Sequence, residues 1–150
     1  MEAASLQRSQ VAACALARGR PVSVNQIQFN PWAPDRIRKV AEYCERHEIV
    51  LTAWGPFQGT MMQHASMFTV QTLKEIAEAH DRSVPQVLLR WTLQRGYSAI
   101  PGTGNPKHMA DNLGVHAFKL SDEEMKRVDT VRDDPGAKRF VAFGFEYNDS

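Results

Sequence analysis

A chain of 150 residues can form one domain that buries roughly two-thirds of its unfolded surface, and 18 basic against 17 acidic side chains leave a formal charge of +1, too little for a nucleic-acid-binding field. No apolar run approaches the roughly 18 residues of a membrane span, and Met1 to Arg20 lacks a signal-peptide pattern, so neither insertion nor secretion is expected. The two cysteines, Cys14 and Cys44, have neither metal-ligand nor CxxC spacing, which points to reduced thiols in the cytosol and to no metal site.

The alanine-rich stretch from Ser5 to Arg18 reads as a helix closed by Gly19 and Pro21. Val22 to Phe29 is β-branched and partly alternating, which predicts a strand. Pro34 and Asp35 then open a helix whose Ile37, Val40, Ala41 and Cys44 recur at helical spacing. On that helix Arg36, Arg38 and Lys39 read as a solvated face. Ile49 to Trp54 is a nearly continuous apolar run, as expected of a strand covered by helices on both faces or wrapped into a barrel. Gly55 and Pro56 end it, and a loop without period continues to about Phe68.

Val70, Leu73, Ile76 and Ala77 predict the apolar face of the next helix. Ser83 with Gln86 forms a capping box for another, which buries Val87, Leu88 and Trp91 and stops at Gly96. Tyr97 to Ile100 reads as a third strand. A second capping box, Ser121 with Glu124, starts a last helix through about Val131, and Asp133 to Ser150 has no readable period. His64 and His80 stand alone and read as surface or satisfied histidines. Strands separated by helices favour a parallel α/β sheet with right-handed crossovers, and three strands leave two open edges prone to self-association.

Between the third strand and the last helix lies Ile100-Pro101-Gly102-Thr103-Gly104-Asn105-Pro106, a strand end, a glycine loop and a helix start in succession. Gly102 and Gly104 are expected to bring the backbone close to a ligand and to take turn conformations that a Cβ resists. Asn105 suits an N-cap and Pro106 the first helical turn. The first amides of such a helix, which lack an intrahelical acceptor, and its dipole favour phosphate, although the same residues also mark an ordinary strand-to-helix turn.

Val24-Asn25-Gln26-Ile27-Gln28-Phe29-Asn30-Pro31, Leu51-Thr52-Ala53-Trp54-Gly55-Pro56-Phe57 and the Ile100 segment, in that order, resemble the sixth, seventh and eighth strands of the aldo-keto reductases. The intervening Gln86-Val87-Leu88-Leu89-Arg90-Trp91 and Leu120-Ser121-Asp122-Glu123-Glu124-Met125 agree with that family too. The resemblance covers about Ser5 to Val131 and implies the C-terminal part of a (β/α)₈ TIM barrel, a fold that usually takes about 250 residues. On this reading residues 1–150 form one partial domain of the family, with 133–150 as a C-terminal tail.

Carried over to this sequence, the resemblance makes Gln26 the partner of a nicotinamide carboxamide and places Trp54, where the family most often has tyrosine, against the nicotinamide ring. Gly55, Pro56, Phe57 and Gly59 would border the pyrophosphate. Gly102, Thr103, Gly104, His108, Asp111 and Asn112 would surround the adenosine end. The implied cofactor is NADP(H), with NAD(H) as the second candidate, because many members carry lysine and arginine on the 2′-phosphate where Gly102 and His108 stand here.

The family's proton-donating tyrosine, with its lysine, aspartate and histidine, comes from the N-terminal half of the barrel, and Tyr43, Tyr97 and Tyr147 do not match its position. No catalytic residue is therefore assigned within these 150 residues. Two functions follow from the resemblance. The first is the cofactor-binding half of a reductase of aldehydes or ketones, not active as the isolated chain, with a small carbonyl substrate once completed. The second is a non-catalytic half-barrel that binds nucleotide or a protein partner.

Overall fold

The computed structural model describes residues 22–57 and 64–133. The expected helix from Ser5 to Arg18, Gly59 and the tail beyond Asp133 lie outside them. In chain order the elements are β1 (Val24–Gln28), α1 (Asp35–Arg46), β2 (Val50–Trp54), a 3₁₀ turn (His64–Thr69), α2 (Gln71–Ala79), α3 (Val84–Gln94), β3 (Ser98–Ile100), α4 (Pro106–Leu113), a 3₁₀ turn (Gly114–Ala117), α5 (Asp122–Asp129) and a last 3₁₀ turn (Val131–Asp133). The three strands form one parallel sheet in the order β1-β2-β3.

Each helix forms where local chemistry specifies it. Ser83 and Gln86 make the reciprocal bonds of a capping box at α3, and Ser121 and Glu124 do the same at α5. The apolar stripe of α1 is buried at Ile37, Val40, Ala41 and Cys44, and that of α2 at Leu73, Ile76 and Ala77. Gly96, past the end of α3, takes a left-handed φ of 82° that glycine tolerates best. His80 closes α2 and places Nε2 2.9 Å from Glu124 Oε1, so it is a satisfied histidine. Burial raises the Glu124 carboxyl, but bonds from the Ser121 amide and hydroxyl and from His80 more than reverse this and hold it below the ordinary carboxylate range.

The sheet is covered on one face. Asn25, Ile27, Leu51 and Ala53 are buried on the side that α1 and α3 cover, whereas Val24 is 56 % exposed, Val50 52 % and Ile100 48 %. The near-continuous apolar run of β2 therefore does not mark a strand covered twice among the described residues; Val50, Thr52 and Trp54 point away from the helices. Such one-sided covering fits a segment of barrel wall, in which helices lie outside and the other face turns inward.

Under the covered face Trp91 stacks on Phe29, with ring centroids 5.6 Å apart and planes 6° from parallel, and Tyr97 meets Phe29 edge-on at 5.1 Å. Cys44 is buried and accepts a hydrogen bond from Asn25 Nδ2 at 3.5 Å; burial pushes its thiol up, which disfavours the reactive thiolate.

Arg38 departs from its expected place on a solvated face. It is half-buried, and its guanidinium donates to the carbonyls of Ala33 (3.1 Å), Pro31 (2.6 Å) and Asp129 (3.3 Å), tying the β1 exit to the end of α5. Among the described residues no helix is long and apolar enough to cross a membrane, and no cluster of histidine, cysteine and carboxylate side chains could hold a metal ion.

Candidate nucleotide site

Parallel strands all end on one edge of the sheet, so the loops after β1, β2 and β3 gather there. On the open face, Gln26 sits opposite Thr52, and Thr52 opposite Ser98. Gln28, Trp54 and Ile100 form the next row toward the exits. Gln26 is exposed and Trp54 partly so. They are diagonal neighbours on one face, with Cα atoms ~8 Å apart from strand spacing and rise. An amide and an indole so placed can address the same small planar group.

The β2 exit is held by the β1 exit. The amide of Phe29 donates to the carbonyl of Trp54 at 3.2 Å, and Asn30 Nδ2 donates to the carbonyl of Gly55 at 3.1 Å. Gly55 takes a left-handed φ of +59°, and a Cβ there would make only ordinary contacts, 3.5 Å from Gln28 Cγ and Nε2. Glycine is thus required by the backbone and not by space. Pro56 is buried and Phe57 packs partly on the core, while Gly59 lies outside the described residues.

The β3 exit runs through Gly102 and Gly104 into α4. Neither glycine has a positive φ, and a Cβ at either would have no heavy atom within 4 Å, contrary to the expected turn conformations. Their effect is to leave these two positions of the loop without side chains, with open space beside them. Asn105 caps the helix as expected: its Oδ1 accepts from the Lys107 amide at 2.9 Å, and Pro106 follows in the first turn. Thr103 Oγ1 accepts from the Asn105 amide at 3.1 Å. Gly102, Gly104 and His108 are exposed, and Thr103, Asp111 and Asn112 partly exposed, so the structure brings this group together along one loop and helix.

Two residues outside the expected set hold these parts in place. Asn30, whose Oδ1 also accepts from the Trp32 amide at 3.1 Å, braces the β2 exit. Gln86 closes its capping box through Oε1 and donates through Nε2 to the carbonyl of Asp111 at 2.8 Å, anchoring α4 on α3. The sequence signals for Gln86 are its capping box and its place in the family-like helix motif; Asn30 carries none beyond lying in the strand motif.

Among the described strand residues, no acid lies on the open face. Its strand residues, Val24, Gln26, Gln28, Val50, Thr52, Trp54, Ser98 and Ile100, include no titratable side chain. Tyr43 lies on α1 against His47. Tyr97 is buried on the helical side and donates to Glu45; burial first, and then that carboxylate, raise its phenol.

The model of the aldo/keto reductase family matches residues 4–133. The 9,11-endoperoxide prostaglandin H2 reductase of Trypanosoma cruzi is 36 % identical over 115 residues, which are 77 % of this chain and 39 % of that protein. Glyoxal reductase of Bacillus subtilis is 35 % identical over 112 residues, 74 % of this chain and 38 % of the enzyme. This chain thus spans less than two-fifths of the length of these relatives. MGS-M4, an aldo-keto reductase from a Medee basin deep-sea metagenome library, superposes with a TM-score of 0.79 at 26 % identity, over 94 % of this chain and 50 % of its own. A variant of Gox0644 solved in complex with NADPH gives 0.72 at 32 % identity, over 85 % and 44 %. With a family match across most of its length and a partial barrel wall as its fold, this chain belongs to the aldo/keto reductase family.

Proposed function

We propose that the chain carries the nicotinamide-dinucleotide site of an NADP(H)-dependent reductase of aldehydes or ketones, and that the groups protonating the carbonyl lie outside these 150 residues. The observation that carries this reading is the placement of Gln26 and Trp54 on one open face, with the Gly55 and Gly102 loops leaving the sheet at the same edge. Family membership and the NADPH complex of Gox0644 support it. So does the donor set: a free carboxamide, an indole face and a capped helix N-terminus match the amide, ring and phosphate of a dinucleotide. The bound dinucleotide supplies the hydride. Gln26 holds the nicotinamide carboxamide through both a donor and an acceptor, Trp54 covers one ring face, and the amides opening α4 with the Gly102 loop receive the adenosine phosphate. The cytosol suits such chemistry, and residues 1–150 are read as one partial domain with its tail.

Titration of tryptophan emission tests the reading. NADPH and NADH are each expected to quench it with weak affinity, and Trp54→Leu to abolish most of the quenching after inner-filter correction. The double substitution Gly102→Lys with His108→Arg should tighten NADPH by about 1–3 kcal/mol and leave NADH unchanged, since only NADPH offers a 2′-phosphate to charge-assisted bonds. The open space around Gly102 admits the lysine without strain. Equal changes for both cofactors would exclude this loop from the 2′-phosphate site.

The exposed Val24, Val50 and Ile100, with the outer edges of β1 and β3 unpaired among the described strands, favour a second reading in which the chain associates with itself or with a protein partner. Light scattering at rising concentration is then expected to give a growing mean mass. A monodisperse monomer throughout would rule out the self-association.

A further inference from the structure

We propose that Asn30 is a positioning residue that aims Trp54 at the nicotinamide end of the site, an inference that rests on the nucleotide reading above. Two consecutive carbonyls at the β2 exit are held by two consecutive residues at the β1 exit: Trp54 by the Phe29 amide at 3.2 Å and Gly55 by Asn30 Nδ2 at 3.1 Å. The peptide groups on both sides of Gly55 are thereby fixed where its φ of +59° turns the chain. A glycine in that region has no side chain to hold its own conformation, so the restraint has to come from outside.

Asn30 supplies it from a rigid base. It is only 4 % exposed, its Oδ1 accepts from the Trp32 amide at 3.1 Å, and its own carbonyl accepts from the Ala33 amide at 2.9 Å. The amide group of the side chain thus spans two loops, accepting within its own turn and donating across to the next strand. Aspartate at the same place keeps the acceptor and loses the donor, which separates the two functions with almost no change of shape. The bond to Gly55 governs only the β2 exit; the Gly102 loop and α4 are anchored through Asn105 and Gln86.

The test compares the two halves of the cofactor on the full 150-residue chain. Calorimetric titration with reduced nicotinamide mononucleotide and, separately, with 2′,5′-ADP is run on the wild-type protein, Asn30→Ala and Asn30→Asp. Both substitutions are expected to weaken the mononucleotide by about 5–10-fold, the scale of one lost hydrogen bond that leaves a carbonyl unpaired, and to leave 2′,5′-ADP within about twofold. The indole N–H resonance of Trp54, assigned with Trp54→Phe, gives a second readout without ligand and is expected to shift in Asn30→Asp while those of Trp32 and Trp91 stay. Equal weakening of both halves would reduce Asn30 to general scaffolding and overturn the proposal. Unchanged mononucleotide binding with an unmoved Trp54 resonance would also overturn it. If the wild-type chain binds neither half, the nucleotide reading falls, and the Trp54 resonance alone decides whether Asn30 sets the indole.

Discussion

Assayed alone, the 150-residue chain is expected to reduce aldehydes about 10²–10⁴-fold more slowly than a full-length relative such as the Bacillus subtilis glyoxal reductase run beside it, the range a positioned acid commonly contributes. The reason lies in which face each side chain occupies. On the proposed reading, a carbonyl reduced above Gln26 and Trp54 needs a proton from the same side of the sheet, and there the described strands present two amides, two hydroxyls, an indole and three aliphatic chains. Hydroxyls of serine and threonine hold their protons too tightly to serve near neutral pH. Tyr97 has a suitable group but lies on the opposite side, where its hydroxyl donates to Glu45, and burial first and then that carboxylate raise its pKa. Loss of reduced-nicotinamide absorbance across a panel of aldehydes measures the rate. Turnover matching the relative would show that a donor within these residues had been overlooked.

Trp91→Ala is expected to cost about 3–5 kcal/mol, the range for deleting a buried aromatic, from a total that for a domain this size is only about 5–15 kcal/mol. The side chain is fully buried and joins three parts of the structure. Its ring stacks on Phe29 of the β1 exit, its Nε1 donates to Asp129 Oδ1 at 2.9 Å, and the Arg95 guanidinium sits 4.6 Å from the ring centroid. Removal opens a cavity between sheet and helices and takes one partner from a carboxylate that Arg95 still pairs. Trp91→Phe keeps most of the stack, loses the indole bond, and should cost only about 1–2 kcal/mol. Urea midpoints at constant slope read both values. A shift below about 1 kcal/mol for the alanine variant would place the centre of the core elsewhere.

The helices were legible because their signals are local. Ile37, Val40, Ala41 and Cys44 repeat at one period, and Ser83 with Gln86 or Ser121 with Glu124 act within one turn. Strand positions were legible to within two residues at each end, but the faces of β2 were not: Val50 and Leu51 are both aliphatic, and only the helices lying on one side decide which is buried. The 3₁₀ turn His64–Thr69 is too short to show a period. The place of Arg38 is not legible for a related reason, since one of its acceptors, the carbonyl of Asp129, stands 91 residues away. In the candidate site the glycines were visible but their uses were not. A sequence does not distinguish Gly55, needed for its left-handed φ, from Gly102 and Gly104, which sit in ordinary backbone.

That last difference bears on how the site can change over evolutionary time. At Gly55 nearly any substitution meets a conformational penalty, so the end of the site beside the indole is tied to the fold. At Gly102 and Gly104 neither backbone angle nor neighbouring atom selects for glycine, and both positions are exposed. Charge can therefore be gained or lost there by single substitutions while the strand, the cap at Asn105 and the α3–α4 anchor stay intact. If the loop receives the dinucleotide as proposed, preference between dinucleotides becomes a trait that drifts independently of stability, so lineages sharing this wall of the barrel can diverge in redox partner before they diverge in structure.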